Sequence, residues 1–272
     1  SNWREYSEFI NNEIAEGKYY WYIGKHIKNI PLLMEAINIL KNSPDITDEI
    51  FKVEFASCLK NYHGGNNIKE TNSGFRSLFF AKALGLVTGK GRRRSKPLIP
   101  TEAFNAIANK VDNQFDNVSL YIDEIQEQLE KMLYYMDLYD KDNVKSEVRT
   151  DKSIFNVYYF MIIYKILLIL EERDGDASIS FEEFQFFIVF IRSYDECAEV
   201  ADRIIELRYH ENKYDIYRLL RKSTEDLRGE ERLSSNPGIL HYSKYLKVKD
   251  KEKISLNKKL INKVYYLIIN YE

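Results

Sequence analysis

The sequence predicts a mainly α-helical protein. It would form two subdomains joined by a helical connector, each a helix-turn-helix closed by a β-ribbon. Three observations predict this. Glycine (11) and proline (5) are scarce among 272 residues, which favours helices over turn-rich sheet folds. Apolar residues recur at helical spacing along most of the chain. Each half breaks that rhythm once, with two short strand-like runs around a turn, the first turn strongly basic. Hydrophobic residues make up 44% and aromatics 14%, enough for packed cores and against disorder.

The first subdomain is placed at residues 1–111. Pro31, at a first-turn position, opens a helix through Leu32, Leu33, Met34, Ala36, Ile37 and Leu40. Asp45 or Thr47 can cap a second helix through Ile50, Phe51, Phe55 and Leu59, which His63-Gly64-Gly65 ends. Ser73 can cap a third, with Phe75, Leu78, Phe79 and Ala83 on one face and Gly85 as its stop. The ribbon follows: Leu86-Val87-Thr88, a tip of Gly89-Lys90-Gly91-Arg92-Arg93-Arg94, then Pro97-Leu98-Ile99-Pro100. Thr101 caps a last helix through Phe104 and Ile107.

Residues 112–152 read as an acidic helical connector, with eleven acids against four bases between Asp112 and Asp151. The second subdomain, 153–272, begins with the apolar run Ile154–Leu170. That run is short for a membrane span, contains Asn156 and Lys165, and is followed by Glu171-Glu172-Arg173-Asp174, so a buried helix is expected and no membrane partner. Ser180 and Glu183 form a capping box for a helix through Phe187 and Ile191. A further helix runs through Ala198, Val200, Ile204 and Leu207, followed by an insertion from His210 to Glu231. Leu246–Val248 and Ile254–Leu256 would meet across Asp250–Lys253 as a second ribbon, ahead of a closing helix through Val264 and Ile268.

Three helices followed by a ribbon is the winged-helix order, a helix-turn-helix variant whose third helix can enter a major groove. The net charge is only −2, but the charges are segregated. Five bases and no acid lie between Lys90 and Lys96, and eight bases against Asp250 and Glu252 lie between Lys244 and Lys263. On the first candidate reading helix, Lys69, Asn72, Ser73 and Arg76 include short or forked donors able to reach base edges. Arg92, Arg93 and Arg94 at the wing tip suit phosphates or a minor groove. In the second half His241 and Lys244 are candidates, set against ordinary helix surface.

Other chemistry is poorly supported. Glu172 to Glu183 resembles an EF-hand loop, with Asp174, Asp176 and Glu183 at ligand positions 3, 5 and 12. Ala177 stands where the turn needs glycine, so a solvated turn is the expectation. Gly85–Gly91 has the wrong glycine spacing for a P-loop and lacks its Ser/Thr. Glu16-Gly17-Lys18 fits the Glu-x-Lys part of a nuclease core, but no apolar strand precedes it. The four histidines lie apart, and Cys58 and Cys197 make no zinc pattern. Two distant cysteines and no signal-peptide pattern lead to an expected cytoplasmic location.

The segment Gly74-Phe75-Arg76-Ser77-Leu78-Phe79-Phe80-Ala81-Lys82-Ala83-Leu84-Gly85-Leu86-Val87, a wing, and then Ile99-Pro100-Thr101-Glu102-Ala103-Phe104 resembles the first recognition subdomain of AlwI-like and FokI-like type II (IIS) restriction endonucleases. Ile179–Ile188, Ala198–Arg208 and Tyr242–Lys258 are similar to the helices and closing wing of their second subdomain. The resemblance implies two winged-helix-like subdomains reading an asymmetric site in double-stranded DNA, with Ser235, Asn236, His241 and Lys244 on or near the second recognition helix. It also implies a separate nuclease domain or subunit that cuts and uses Mg2+. No such core is visible in these 272 residues, and no cofactor is expected within them. The alternatives are a helical transcription regulator or protein-binding adaptor without nuclease activity, and a calcium-switched interaction protein.

Overall fold

The computed structural model describes residues 1–16, 21, 30–59, 78, 81–82, 84–89, 98–120, 157–227, 240–241, 243–249 and 252–272. These are mainly helical, with two small antiparallel sheets. Backbone contacts divide the chain into two compact units, Lys25–Asp137 and the discontinuous pair Ser1–Gly24 with Leu138–Glu272.

The Lys25–Asp137 unit is built on helix α2, Ile30–Asn42, with Pro31 in its first turn as expected. Leu32, Leu33, Met34, Ala36, Ile37, Ile39 and Leu40 are all buried, so α2 is the central rod of this core. Helix α3, Asp48–Leu59, packs against it through Phe51 and Phe55, whose rings stack 6.0 Å apart. The Thr47 hydroxyl accepts from the Ile50 amide at 3.4 Å, so Thr47 rather than Asp45 provides the cap. Buried Leu78, Ala81 and Leu84 lead into Gly85, whose φ of +75° reverses the chain. The Gly85 amide donates to the Lys82 carbonyl and the Leu86 amide to the Ala81 carbonyl, closing the turn. Strands β1, Val87–Thr88, and β2, Ile99–Pro100, then pair antiparallel with Val87 opposite Pro100. Thr101 caps helix α4, Glu102–Lys110: its hydroxyl accepts from the Phe104 amide and donates to the Gly85 carbonyl at 2.6 Å. The cap residue thereby ties the ribbon to the preceding glycine turn.

The other unit surrounds helix α5, Tyr159–Asp174, which is buried almost all round. No described helix is long and apolar enough to cross a membrane. Gly175, at φ +67°, ends α5 in the left-handed conformation that glycine adopts at least cost. Strand β3, Ser178–Ser180, leads directly into helix α6, Phe181–Phe187, through the Ser180/Glu183 capping box that the sequence announces. Helix α7, Cys197–Arg208, packs along α5 through Val200, Ala201, Ile204 and Leu207. The stretch read as an insertion contains helix α8, Lys213–Ser223, which packs on the N-terminal helix α1, Trp3–Glu16. Strands β4, Leu246–Lys249, and β5, Lys253–Leu256, form the second ribbon, and helix α9, Ile261–Tyr271, closes the unit against α5.

The second ribbon is part of a larger sheet. Strand β3 pairs with β5, giving a three-stranded antiparallel sheet of order β3-β5-β4. The register is Ser178 opposite Ser255, Ile179 opposite Ile254 and Ser180 opposite Lys253 on one side, and Leu246 opposite Leu256 and Val248 opposite Ile254 on the other.

Candidate nucleic-acid interface

Residues of opposite strands that share a register position project on the same face, and faces alternate along a strand. The face carrying Ile179, Ile254, Leu246 and Leu256 is buried. The opposite face carries Lys247, Lys249, Lys253, Ser255, Ser180 and, at the β3 edge, buried Ser178; the three lysines are exposed. The core face holds the sheet in place, and the other is offered to solvent with a positive charge. Lys249 pairs with Glu252 at 2.7 Å, both well exposed, an arrangement worth little in water.

The end of the sheet away from the β4–β5 turn is also basic. Ser243 is buried, and its hydroxyl lies 2.5 Å from the Tyr164 hydroxyl of α5, which anchors the turn entering β4. His241 and Lys244 flank that anchor and are exposed. The Lys244 ammonium sits 5.3 Å from the centre of the Tyr245 ring. The Asn257 amide donates to the Tyr245 carbonyl at 2.7 Å, bringing exposed Lys258 and Lys259 to the same end.

Of the residues that the sequence puts forward, His241 and Lys244 are described and share this end of the sheet. Lys69, Asn72, Ser73, Arg76, Arg92, Arg93, Arg94, Ser235 and Asn236 lie outside the described residues. Described nearby in sequence are Leu78, Ala81 and Leu84, all buried, and the paired strands β1 and β2. Sequence reading counted the bases from Lys244 to Lys263 but did not single out Lys247, Lys249 or Lys253. The available signal was Leu246-Lys247-Val248-Lys249, whose strict alternation assigns one face to the core and one to solvent.

The EF-hand-like turn has a different use. The Arg208 guanidinium enters it from the end of α7. Its Nε donates to Glu183 Oε2 at 2.8 Å, one Nη donates to Asp174 Oδ2 at 3.1 Å, and the other donates to Glu183 Oε1 at 2.9 Å and to the Ser178 carbonyl at 2.6 Å. Asp176 lies 3.9 Å away. The three acids at calcium-ligand spacing therefore converge on a guanidinium. Burial works against the Arg208 charge, but hydrogen bonds to Glu183 and the nearby acids outweigh it and hold the group above its ordinary range. The contacts tie α7 to β3 and to the start of α6.

Among the described residues no group of three or more His, Cys, Asp or Glu side chains is arranged to hold a metal ion. Nor are the thiols activated. Burial, reinforced by Glu35, pushes Cys58 up to about 11, and burial pushes Cys197 up to about 12, the wrong direction for a nucleophile. What these residues present is a charged surface with a rigid support.

Residues 84–236 match the family model described as AlwI restriction endonuclease. That segment is more than half of the chain, and the chain belongs to the AlwI restriction endonuclease family. Among solved structures, its fold is similar to that of the protein in "Crystal structure of pyrene- and phenanthrene-modified DNA in complex with the BpuJ1 endonuclease binding domain". The TM-score is 0.52 at 13% identity, over 92% of this chain and 84% of that one. At that identity the likeness concerns the fold. No curated protein matches the chain.

Proposed function

We propose that this chain is the sequence-specific, double-stranded DNA recognition module of a type II restriction endonuclease, of the kind that forms the N-terminal half of AlwI-like and FokI-like enzymes. Membership of the AlwI restriction endonuclease family carries this reading. The fold shared with the BpuJ1 endonuclease binding domain, which was solved in complex with DNA, supports it over nearly the whole length.

Each unit reads as winged-helix-like. In the unit containing α5, the order helix, strand, three helices and hairpin, with the early strand paired to the hairpin, supports that assignment. In the other unit, helices precede a two-stranded ribbon, and Arg92, Arg93 and Arg94 fall between its strands in the sequence. Asn72 and Arg76 read bases from the helix that ends at Gly85, with Lys69 and Ser73 beside them. Ser235, Asn236 and His241 form the second reading element, and Lys244 holds phosphate. A good bidentate contact to a base discriminates by about 1–3 kcal/mol. In this reading cleavage and its Mg2+ belong to a separate nuclease domain or subunit; the acids at calcium-ligand spacing engage Arg208.

Selection of bound duplexes from a random pool tests the proposal. Enrichment of one short asymmetric sequence is expected. Recovery of a pool indistinguishable from the input, at salt low enough for phosphate contacts to form, would overturn it.

A further inference from the structure

Apart from Lys244, the lysines of the β3-β5-β4 sheet are not among the residues that the sequence puts forward. Strand β4 places Lys247 and Lys249 two residues apart, a spacing of roughly 6.6 Å along a strand. Lys253 stands directly opposite Lys249 on β5. Lys244, Lys258 and Lys259 continue the positive charge at the other end of the hairpin, fixed there by the Asn257–Tyr245 hydrogen bond. Six lysines thus follow the length of one hairpin. Of the described acids beside the sheet, Glu183 is buried against Arg208, while Asp176 accepts from the Ser178 hydroxyl at 2.7 Å at the β3 margin of the same face, with β5 between it and β4. The remaining described acid at the hairpin, Glu252, makes an exposed pair with Lys249 that a phosphate can replace at small cost.

We infer that the solvent face of the β3-β5-β4 sheet, together with the lysines at its open end, is a phosphate-tracking surface that lies along one backbone of a DNA duplex. This rests on the DNA-recognition reading above. It adds a sequence-independent grip, distinct from the residues proposed to read bases. A row of flexible ammonium groups on a rigid strand matches a regular row of phosphates, and it carries no base-reading geometry. Its contribution is counterion release, so it strengthens binding to every duplex and makes that binding salt-dependent. Lysines on an edge strand also discourage sheet-to-sheet pairing, but that role involves no DNA and leaves the salt dependence unchanged.

The test is the full-length triple variant K247Q/K253Q/K259Q, compared with the parent chain by fluorescence anisotropy on a random-sequence duplex and on the selected sequence over a range of salt. All three side chains are exposed, and an unchanged melting temperature verifies the fold. Each lost phosphate contact lowers the slope of log affinity against log salt by about 0.9, so a total drop of about 2.7 is expected. The drop is expected equally on both duplexes. A parent chain that binds while the variant keeps its slope would overturn the phosphate surface alone. A loss confined to the selected sequence would also overturn it, since that is the signature of base reading. A parent chain that binds no duplex at low salt would overturn the DNA reading on which it rests.

Discussion

Arg208 replaces a cation with a side chain. In a calcium loop, oxygen ligands gather around an ion that must be supplied; here the equivalent acids gather around a charge carried by α7. Asp174 and Glu183 have side chains only 8% and 4% exposed, so neither can recover water if the guanidinium is removed. Arg208→Met should therefore cost about 3–5 kcal/mol in urea unfolding, the range for removing one partner of a buried ion pair. Arg208→Lys should recover only part of this, because a single ammonium cannot span the two Glu183 oxygens, Asp174 and the Ser178 carbonyl as the fork does. For the same reason calcium should leave the melting temperature of the parent chain unchanged. A chelator-reversible rise would mean that the acids prefer the metal to Arg208, and would revive the calcium-switch alternative.

Among the elements, those most legible in the sequence are those whose ends are set by local chemistry. Thr101, Gly85, Pro31 and the Ser180/Glu183 pair each act within about one helical turn, and the structure uses each as the sequence suggests. Ser180→Ala leaves the Glu183 amide without its 3.0 Å acceptor, and should cost about 1 kcal/mol by thermal or urea unfolding. The reciprocal bond from the Ser180 amide to Glu183 survives that change, so a much larger loss would mean that Glu183 also releases Arg208. Two elements were hidden. Strand β3 is only three residues long with one apolar side chain, and its partner Ile254 lies far along the chain, so no local pattern announces it. Helix α8 exposes Tyr214, Asp215, Arg218, Leu219 and Lys222 and buries Ile216 and Leu220, a stripe too narrow to distinguish from a polar insertion.

At the scale of the whole chain, long-range order was the least legible. Helix α1 belongs to the unit formed mainly by the C-terminal half, where the Tyr6 hydroxyl donates to the Phe186 carbonyl and its ring stacks on Phe187. An amphipathic helix shows that it has a buried face, but not what covers it. The base-reading candidates were legible only as residue types at positions, and nine of those named lie outside the described residues. Their role can still be tested through additivity. Replacing Arg92, Arg93 and Arg94 with Ala removes charge from the Lys25–Asp137 unit, while K247Q/K253Q/K259Q removes it from the other. If both units hold one duplex, each set should lower the salt slope by about 0.9 per lost contact, and the combined variant should lose the sum. The additive result follows because counterions are released from separate stretches of backbone, and well-separated sites do not share partners. If only one unit holds DNA, the combined variant will have the slope of the more affected parent set. Salt titrations of the four proteins on one duplex separate the outcomes, and the single-unit result would remove the case for paired reading heads.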